Sequence, residues 1–195
     1  CKKSPESILV SANLKNETEV YKMFGKIYKK FPKIDLLVNN VGNYLYTEFS
    51  KTTNAEFTDV MESNVYSTLF CSREALKSMR KQKAGHIINI GSVGVGTIVV
   101  REKSTPYFMA KNAVFALTKI MAWEEAKNGI HVNMISPASL VTDIFKKKQF
   151  PMGRSAVYKD VVSALMFLTS REAYYINGAS IEVAGAFVPG LAQGK

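Results

Sequence analysis

The sequence predicts an α/β protein: a doubly wound parallel sheet with helices on both faces, forming one domain over residues 1–195. Short apolar runs alternate with longer stretches of helical spacing along the whole chain. No repeat or linker interrupts that alternation. One run, Ile34-Asp-Leu-Leu-Val38, is almost continuously apolar, as expected of a strand buried on both faces of a parallel sheet.

Taken in order, Ile8-Leu-Val10 reads as a short strand. A helix follows, with Asn16 as N-cap, Glu19 three residues on and Pro32 as its stop; Val20, Phe24, Ile27 and Phe31 keep helical spacing. After the Ile34–Val38 strand, Thr53 and Glu56 form a second capping signature that opens a long helix to about Lys81. Phe57, Val60, Val65, Leu69, Ala75, Leu76 and Met79 mark the inner side of that helix, and the polar Asn64 falls on the same stripe. His86–Ile90 is a strand running out into Gly91-Ser92. Thr105 as cap and Pro106 in the first position open a helix that continues past Trp123 and stops at Asn128-Gly129. Ile130–Ile135 is a strand leading to Ser136-Pro137. A helix using Val161, Leu165 and Leu168 and a strand over Ala179–Val183 complete the pattern.

Bulk properties narrow the function classes. Hydrophobic residues make up 47% and charged residues 22%, a globular balance that argues against disorder. No apolar run approaches the roughly 20 residues of a membrane span. Two cysteines, Cys1 and Cys71, imply no disulfide framework and fit a reducing, cytoplasmic setting. The net charge of +10 is the unusual feature, with lysines grouped at 29–30, 81 and 83, and 146–148. A solvated lysine face is its plainer explanation, and an acidic partner or a phosphorylated ligand is the functional alternative. No recognition motif accompanies it, so nucleic acid is not expected as a partner.

Asn13, Asn40, Ser92 and Pro137 each follow a strand end, which gathers them on the rim where parallel sheets bind ligands. Tyr107 and Lys111 lie four apart on a helix and share a face. A phenol with a pKa of about 10 exchanges protons poorly near neutrality, and a neighbouring cation favours its ionised form. With the Ser92 hydroxyl holding a carbonyl oxygen against the tyrosine, these groups amount to a general-acid site for carbonyl reduction, or a general-base site for alcohol oxidation.

These residues resemble a known family. Asn39-Asn40-Val41-Gly42, Asn64, Gly91-Ser92, Tyr107-x-x-x-Lys111 and Pro137-Ala138-x-x-x-Thr142 stand in the order found in short-chain dehydrogenases/reductases. Pro151-Met152-Gly153-Arg154 resembles the Pro-Leu-Gly-Arg of 3-oxoacyl-[acyl-carrier-protein] reductases. The resemblance implies a Rossmann-like fold and an NAD(P)-dependent oxidoreductase moving hydride between nicotinamide and a carbonyl or alcohol. The substrate would be a 3-oxoacyl thioester or another lipophilic ketone, and the cofactor NADP, with NAD as the alternative. By the same resemblance Tyr107 is the proton donor, Lys111 lowers the tyrosine pKa and holds the nicotinamide ribose, and Ser92 positions the carbonyl. Asn64 holds a water that links Lys111 to solvent. Asn13 and Leu14 lie at the adenine, Asn40, Val41 and Gly42 along the cofactor, and Pro137, Leu140 and Thr142 toward the nicotinamide. Turn chemistry is the alternative for Asn13 and Asn40, and the cofactor role is the reading preferred here.

The apolar residues Tyr44, Leu45, Tyr46, Val93, Val95, Ile98, Val99, Ile144, Phe145 and Phe150 are expected to flank a lipophilic substrate. An acyl carrier protein is a candidate partner, with Lys81, Lys83 and Lys127 as docking residues, although Asn128 stands where the family has an arginine. A homotetramer is expected, with a dimer as the alternative. A catalytically silent relative that binds nucleotide or protein is the rival function. The family's Gly-x-x-x-Gly-x-Gly phosphate loop does not occur in the sequence. At least one βαβ unit is therefore expected to precede Cys1 in the natural protein, since the Ile8–Val10 strand otherwise lacks neighbours. Ala138 replaces a family glycine, Val183-Ala-Gly-Ala186 replaces Asp-Gly-Gly, and the segment between Thr142 and Pro151 is shorter than the family's substrate lid.

Overall fold

Parallel pairing joins β1 (Leu36–Asn39), β2 (Gly85–Ile90), β3 (Ile130–Pro137) and β4 (Ser180–Val183) side by side in that order. The structure is a computed structural model and describes residues 6–97, 102–140 and 149–187. Its helices are α1 (Glu17–Lys30), α2 (Asn54–Met61), α3 (Ser67–Gln82), α4 (Thr105–Glu125) and α5 (Tyr158–Leu168).

Side-chain alternation along the strands splits the core into two layers. Ile87 and Val132 pack with Val20 and Phe24 of α1, Ala75 and Met79 of α3, and Met121 of α4. Ile88, Ile135 and Ile181 point the other way, onto Val161, Leu165 and Leu168 of α5. The strands step across the sheet in one direction, so the connection through α5, on the opposite face, has the opposite hand from those through α3 and α4. Crossovers of this kind are almost always right-handed, which makes the β3–α5–β4 connection the left-handed exception.

The helix ends follow local chemistry. Asn16 caps α1 by accepting from the Glu19 amide at 3.1 Å. The Glu19 carboxylate reaches past the cap to the Asn13 amide at 2.8 Å. At α2 the box closes fully: Thr53 Oγ1 accepts from the Glu56 amide and Glu56 accepts from the Thr53 amide.

Several sequence expectations change in three dimensions. Ile8–Val10 forms no strand, because among the described residues no neighbouring strand pairs with it, and Leu9 is 99% exposed. The Ile34–Val38 run becomes β1, shifted to start at Leu36. Among the described residues it is an edge strand that pairs with β2 alone, and Leu36 and Val38 are exposed. The long helix is interrupted: residues Glu62–Tyr66 form a π turn between α2 and α3. The α4 cap is Ser104 rather than Thr105, which already lies within the helix.

Candidate active site

Ser92 sits just beyond β2, where pairing with β3 continues on both sides of it. The Gly91 amide donates to Ile135 O at 2.8 Å and the Val93 amide to Pro137 O at 3.1 Å. A side chain at residue 91 would collide with Met134 Sδ and Ser136 Oγ, so glycine lets this strand end approach β3. Ser92 itself is 6% exposed.

Helix α4 brings Tyr107 and Lys111 to the same strand end. Lys111 Nζ lies 5.5 Å from the centre of the Tyr107 ring and donates to Ile90 O, the last carbonyl of β2, at 2.8 Å. The lysine is buried, and burial pushes its ammonium from 10.5 down to about 8. The Tyr44 ring meets the Tyr107 ring edge-on, with centroids 4.8 Å apart. The segment carrying Tyr44 is pinned at both ends: the Asn43 amide donates to Ser63 Oγ at 3.1 Å, and the Thr47 amide to Lys103 O at 2.7 Å.

Asn64 lies in the π turn, and such turns recur at functional sites. It is buried, and its amide nitrogen donates to Val60 O and Asn43 O, both at 2.9 Å. Its Oδ1 is buried with no protein hydrogen-bond partner. Gly42 packs so closely that a Cβ there would lie 2.1 Å from that oxygen.

The residues expected along the cofactor fall into three groups. Leu14, Asn40 and Val41 share a cleft of about 200 Å³ with Phe24 and Leu37, and Gly42 follows directly along the same rim. Pro137 closes β3, and Leu140 makes an isolated bridge with Ala156. Asn13 is engaged in turn chemistry, its Oδ1 accepting from the Lys15 amide at 3.1 Å. Thr142 lies outside the described residues, as do Ile98, Val99, Ile144 and Phe145. Val93, Val95 and Phe150 are core residues instead of substrate-facing ones: each is buried, and Phe150 packs on Phe187. Tyr44 and Tyr46 remain exposed beside Tyr107 and Lys103.

No sequence signal marks Asn43, whose carbonyl accepts from the Asn64 amide nitrogen, or Glu182, whose carboxylate accepts from the Gly94 amide at 2.8 Å. Glu182 is a single acid in an apolar closing strand, and alternation alone marks it only as facing away from Ile181 and Val183.

Comparison with known proteins agrees with this arrangement. A family model described as enoyl-(acyl carrier protein) reductase matches residues 1–187. The 3-oxoacyl-[acyl-carrier-protein] reductase FabG of Vibrio cholerae is 34% identical over 186 residues, spanning 90% of this chain and 75% of the relative. The protein of the same name from Haemophilus influenzae is 33% identical over 183 residues, spanning 89% and 75%. Among solved structures, ElxO with NADP bound superposes with a TM-score of 0.82 at 30% identity, over 90% of this chain and 75% of that one. The sheet, the ordered motifs and these matches together establish that the chain belongs to the short-chain dehydrogenase/reductase family of NAD(P)-dependent oxidoreductases.

Proposed function

We propose that the protein is an NADP-dependent carbonyl reductase whose substrates are 3-oxoacyl thioesters or ketones of similar lipophilicity. The observation that carries this reading is the buried Lys111 ammonium over the Tyr107 ring, tied to the strand end that bears Ser92. The cofactor's fit is supported by the rim itself. Leu14, Asn40 and Val41 line one small cleft at the strand end, Gly42 contributes no side chain to the path, and Asn64 Oδ1 is a buried acceptor against Gly42. The names of the relatives and of the superposed structure point to the same cofactor and substrate class.

In this reading bound NADPH supplies the hydride that adds to the carbonyl carbon. The Ser92 hydroxyl donates to the carbonyl oxygen and polarises it. Tyr107 delivers its phenolic proton to that oxygen as the alcohol forms. Lys111 lowers the cost of the resulting phenolate and, with an ammonium pKa of about 8, can exchange a proton near neutrality to restore the phenol. Asn64 holds the polar end of that relay through its unpartnered Oδ1.

The family description names enoyl reduction, which favours a second reading in which a C=C bond is reduced. Tyr107 and Ser92 suit protonation of oxygen rather than carbon, so ketone reduction ranks first. The test is loss of NADPH absorbance with a 3-oxoacyl thioester and, separately, with an enoyl thioester, each repeated with NADH. Oxidation with the first substrate and NADPH is expected. Oxidation with the enoyl substrate alone selects the second reading. Tight NADPH binding without turnover of any carbonyl selects a silent nucleotide-binding relative.

Assembly as a homotetramer belongs to this reading, with a dimer as the alternative. Met109, Ile120 and Trp123 form an exposed apolar stripe on α4, and Tyr158, Val162 and Met166 form another on α5. Two exposed apolar patches on different faces suit a tetramer built from two kinds of two-fold interface. Mass determination by light scattering tests this, and a monomer would refute it. Lys127 lines a cleft of about 710 Å³ with Arg80, Trp123, Glu124, Glu125 and Asn128, and Lys83 Nζ donates to Asn128 Oδ1 at its edge, at 3.3 Å. This cleft lies where β2 and β3 begin, about 20 Å along the strands from Ser92. No described helix is long and apolar enough to cross a membrane. Burial pushes the Cys71 thiol up to about 11, so it is an inert core group.

A further inference from the structure

We propose that Glu182 is a positioning residue for Ser92, acting through the Gly94 amide. The inference rests on the carbonyl-reductase reading of the Ser92–Tyr107–Lys111 site.

The loop after β2 turns twice through left-handed glycines, Gly94 at φ 85° and Gly96 at φ 78°. Such turns leave amides without a ladder partner, and each of these two finds a side-chain acceptor. The Gly96 amide donates to Asn112 Oδ1 at 3.0 Å, and Asn112 is itself fixed by donating to Phe108 O within α4 at 2.8 Å. The Gly94 amide donates to Glu182 Oε1 at 2.8 Å, across 88 residues of sequence. Inside the loop, the Val95 amide closes back on Ser92 O at 3.2 Å and Thr97 Oγ1 donates to Gly94 O at 2.8 Å. Movement of Gly94 is therefore passed to Ser92 through one short turn.

Strand alternation explains why Glu182 can do this. Ile181 and Val183 pack toward α5, so the residue between them faces the opposite side of the sheet, where the Ser92 loop lies. Its backbone is held in place: Ser136 of β3 is its register partner, and the Ala138 amide donates to Val183 O at 3.1 Å. A carboxylate on a fixed strand then reaches over β3 to the loop beyond β2. An ionised acceptor makes an amide hydrogen bond roughly twice as strong as a neutral one. A serine hydroxyl that polarises a carbonyl needs this restraint, because misplacement by about 1 Å costs on the order of 100-fold in rate.

The test compares Glu182→Ala, Glu182→Gln and Glu182→Asp with the parent in the full chain. Glu182 is exposed, so none of the three opens a core cavity. Readouts are kcat and the KM for NADPH with a 3-oxoacyl thioester, and hydrogen exchange at the Gly94 amide. The alanine variant should lose about tenfold in kcat, well inside the range that misplacement allows, with KM for NADPH unchanged. Its Gly94 amide should exchange about tenfold faster, as loss of about 1.4 kcal/mol of protection implies. Glutamine, which keeps an acceptor at the same reach, should restore kcat to within about twofold, while aspartate, one methylene shorter, should behave like alanine. Equal kcat in the alanine variant and the parent, or unchanged Gly94 exchange, overturns the proposal. A parent enzyme that oxidises NADPH with no carbonyl overturns the carbonyl-reductase reading, and this proposal with it, whatever the exchange rates are.

Discussion

Replacing Lys111 with methionine should abolish turnover yet leave the protein at least as stable at pH 7, and it should remove a specific rise in stability at alkaline pH. The lysine is 6% exposed and its ammonium sits at about 8 instead of 10.5. At about 1.36 kcal/mol per pKa unit, that displacement corresponds to about 3 kcal/mol of destabilisation while the buried group carries its proton. Methionine has similar length and no charge, so it removes this cost. It also removes the donor to Ile90 O, a charged hydrogen bond worth about 1.5–3 kcal/mol. The variant is therefore expected to equal the parent at pH 7 or exceed it by up to about 1.5 kcal/mol.

The pH dependence is the sharper prediction. Between about pH 8 and 10.5 the unfolded chain keeps the lysine proton and the folded chain sheds it. The unfolded state then binds more protons, so stability rises with pH across that window. The full penalty is present below about pH 8 and is relieved as the folded group deprotonates. Urea unfolding at pH 7, 8, 9 and 10 should thus show the parent gaining on Lys111→Met by about 2.5 kcal/mol, with all other titrating groups common to both proteins. Parallel curves across that range would refute the burial argument, as would a variant several kcal/mol less stable at pH 7.

Two further substitutions probe the same site. Tyr107→Phe should lower kcat by about 10³-fold, within the range expected for loss of a general acid, with NADPH affinity unchanged by fluorescence titration; a rate near the parent's would reject Tyr107 as the acid. Gly42→Ala should cost about 1–3 kcal/mol in urea unfolding, because its Cβ would lie 2.1 Å from Asn64 Oδ1. Adding Asn64→Ala should recover much of that loss, and a fully additive double variant would show that the two residues do not compete for one space.

Near neighbours in the chain fix what near neighbours decide. The alternation of strands and helices, the Asn16 and Thr53 caps, the Gly129 stop at φ 69° and the shared face of Tyr107 and Lys111 all depend on contacts within about one helical turn, and all were legible in the sequence. The family's ordered motifs were legible too, since their spacing survives without any knowledge of packing. The strand expected at Ile8–Val10 failed because a strand exists only with a partner, which local composition does not supply. Val93, Val95 and Phe150 were expected at the substrate because apolar loop residues look alike whether they face a ligand or a core.

Tertiary structure alone decided three features of the site. It buried Lys111 and so moved its pKa, since desolvation depends on everything packed around the ammonium. It broke the long helix with a π turn that turns Asn64 toward Asn43 and Gly42. It brought Glu182 to Gly94 across three strands, a contact that exists only because β4 is in register with β3. Sequence carries such long-range contacts only implicitly, as the sum of many packing choices, whereas a cap or a helical pair is written into residues that are already adjacent.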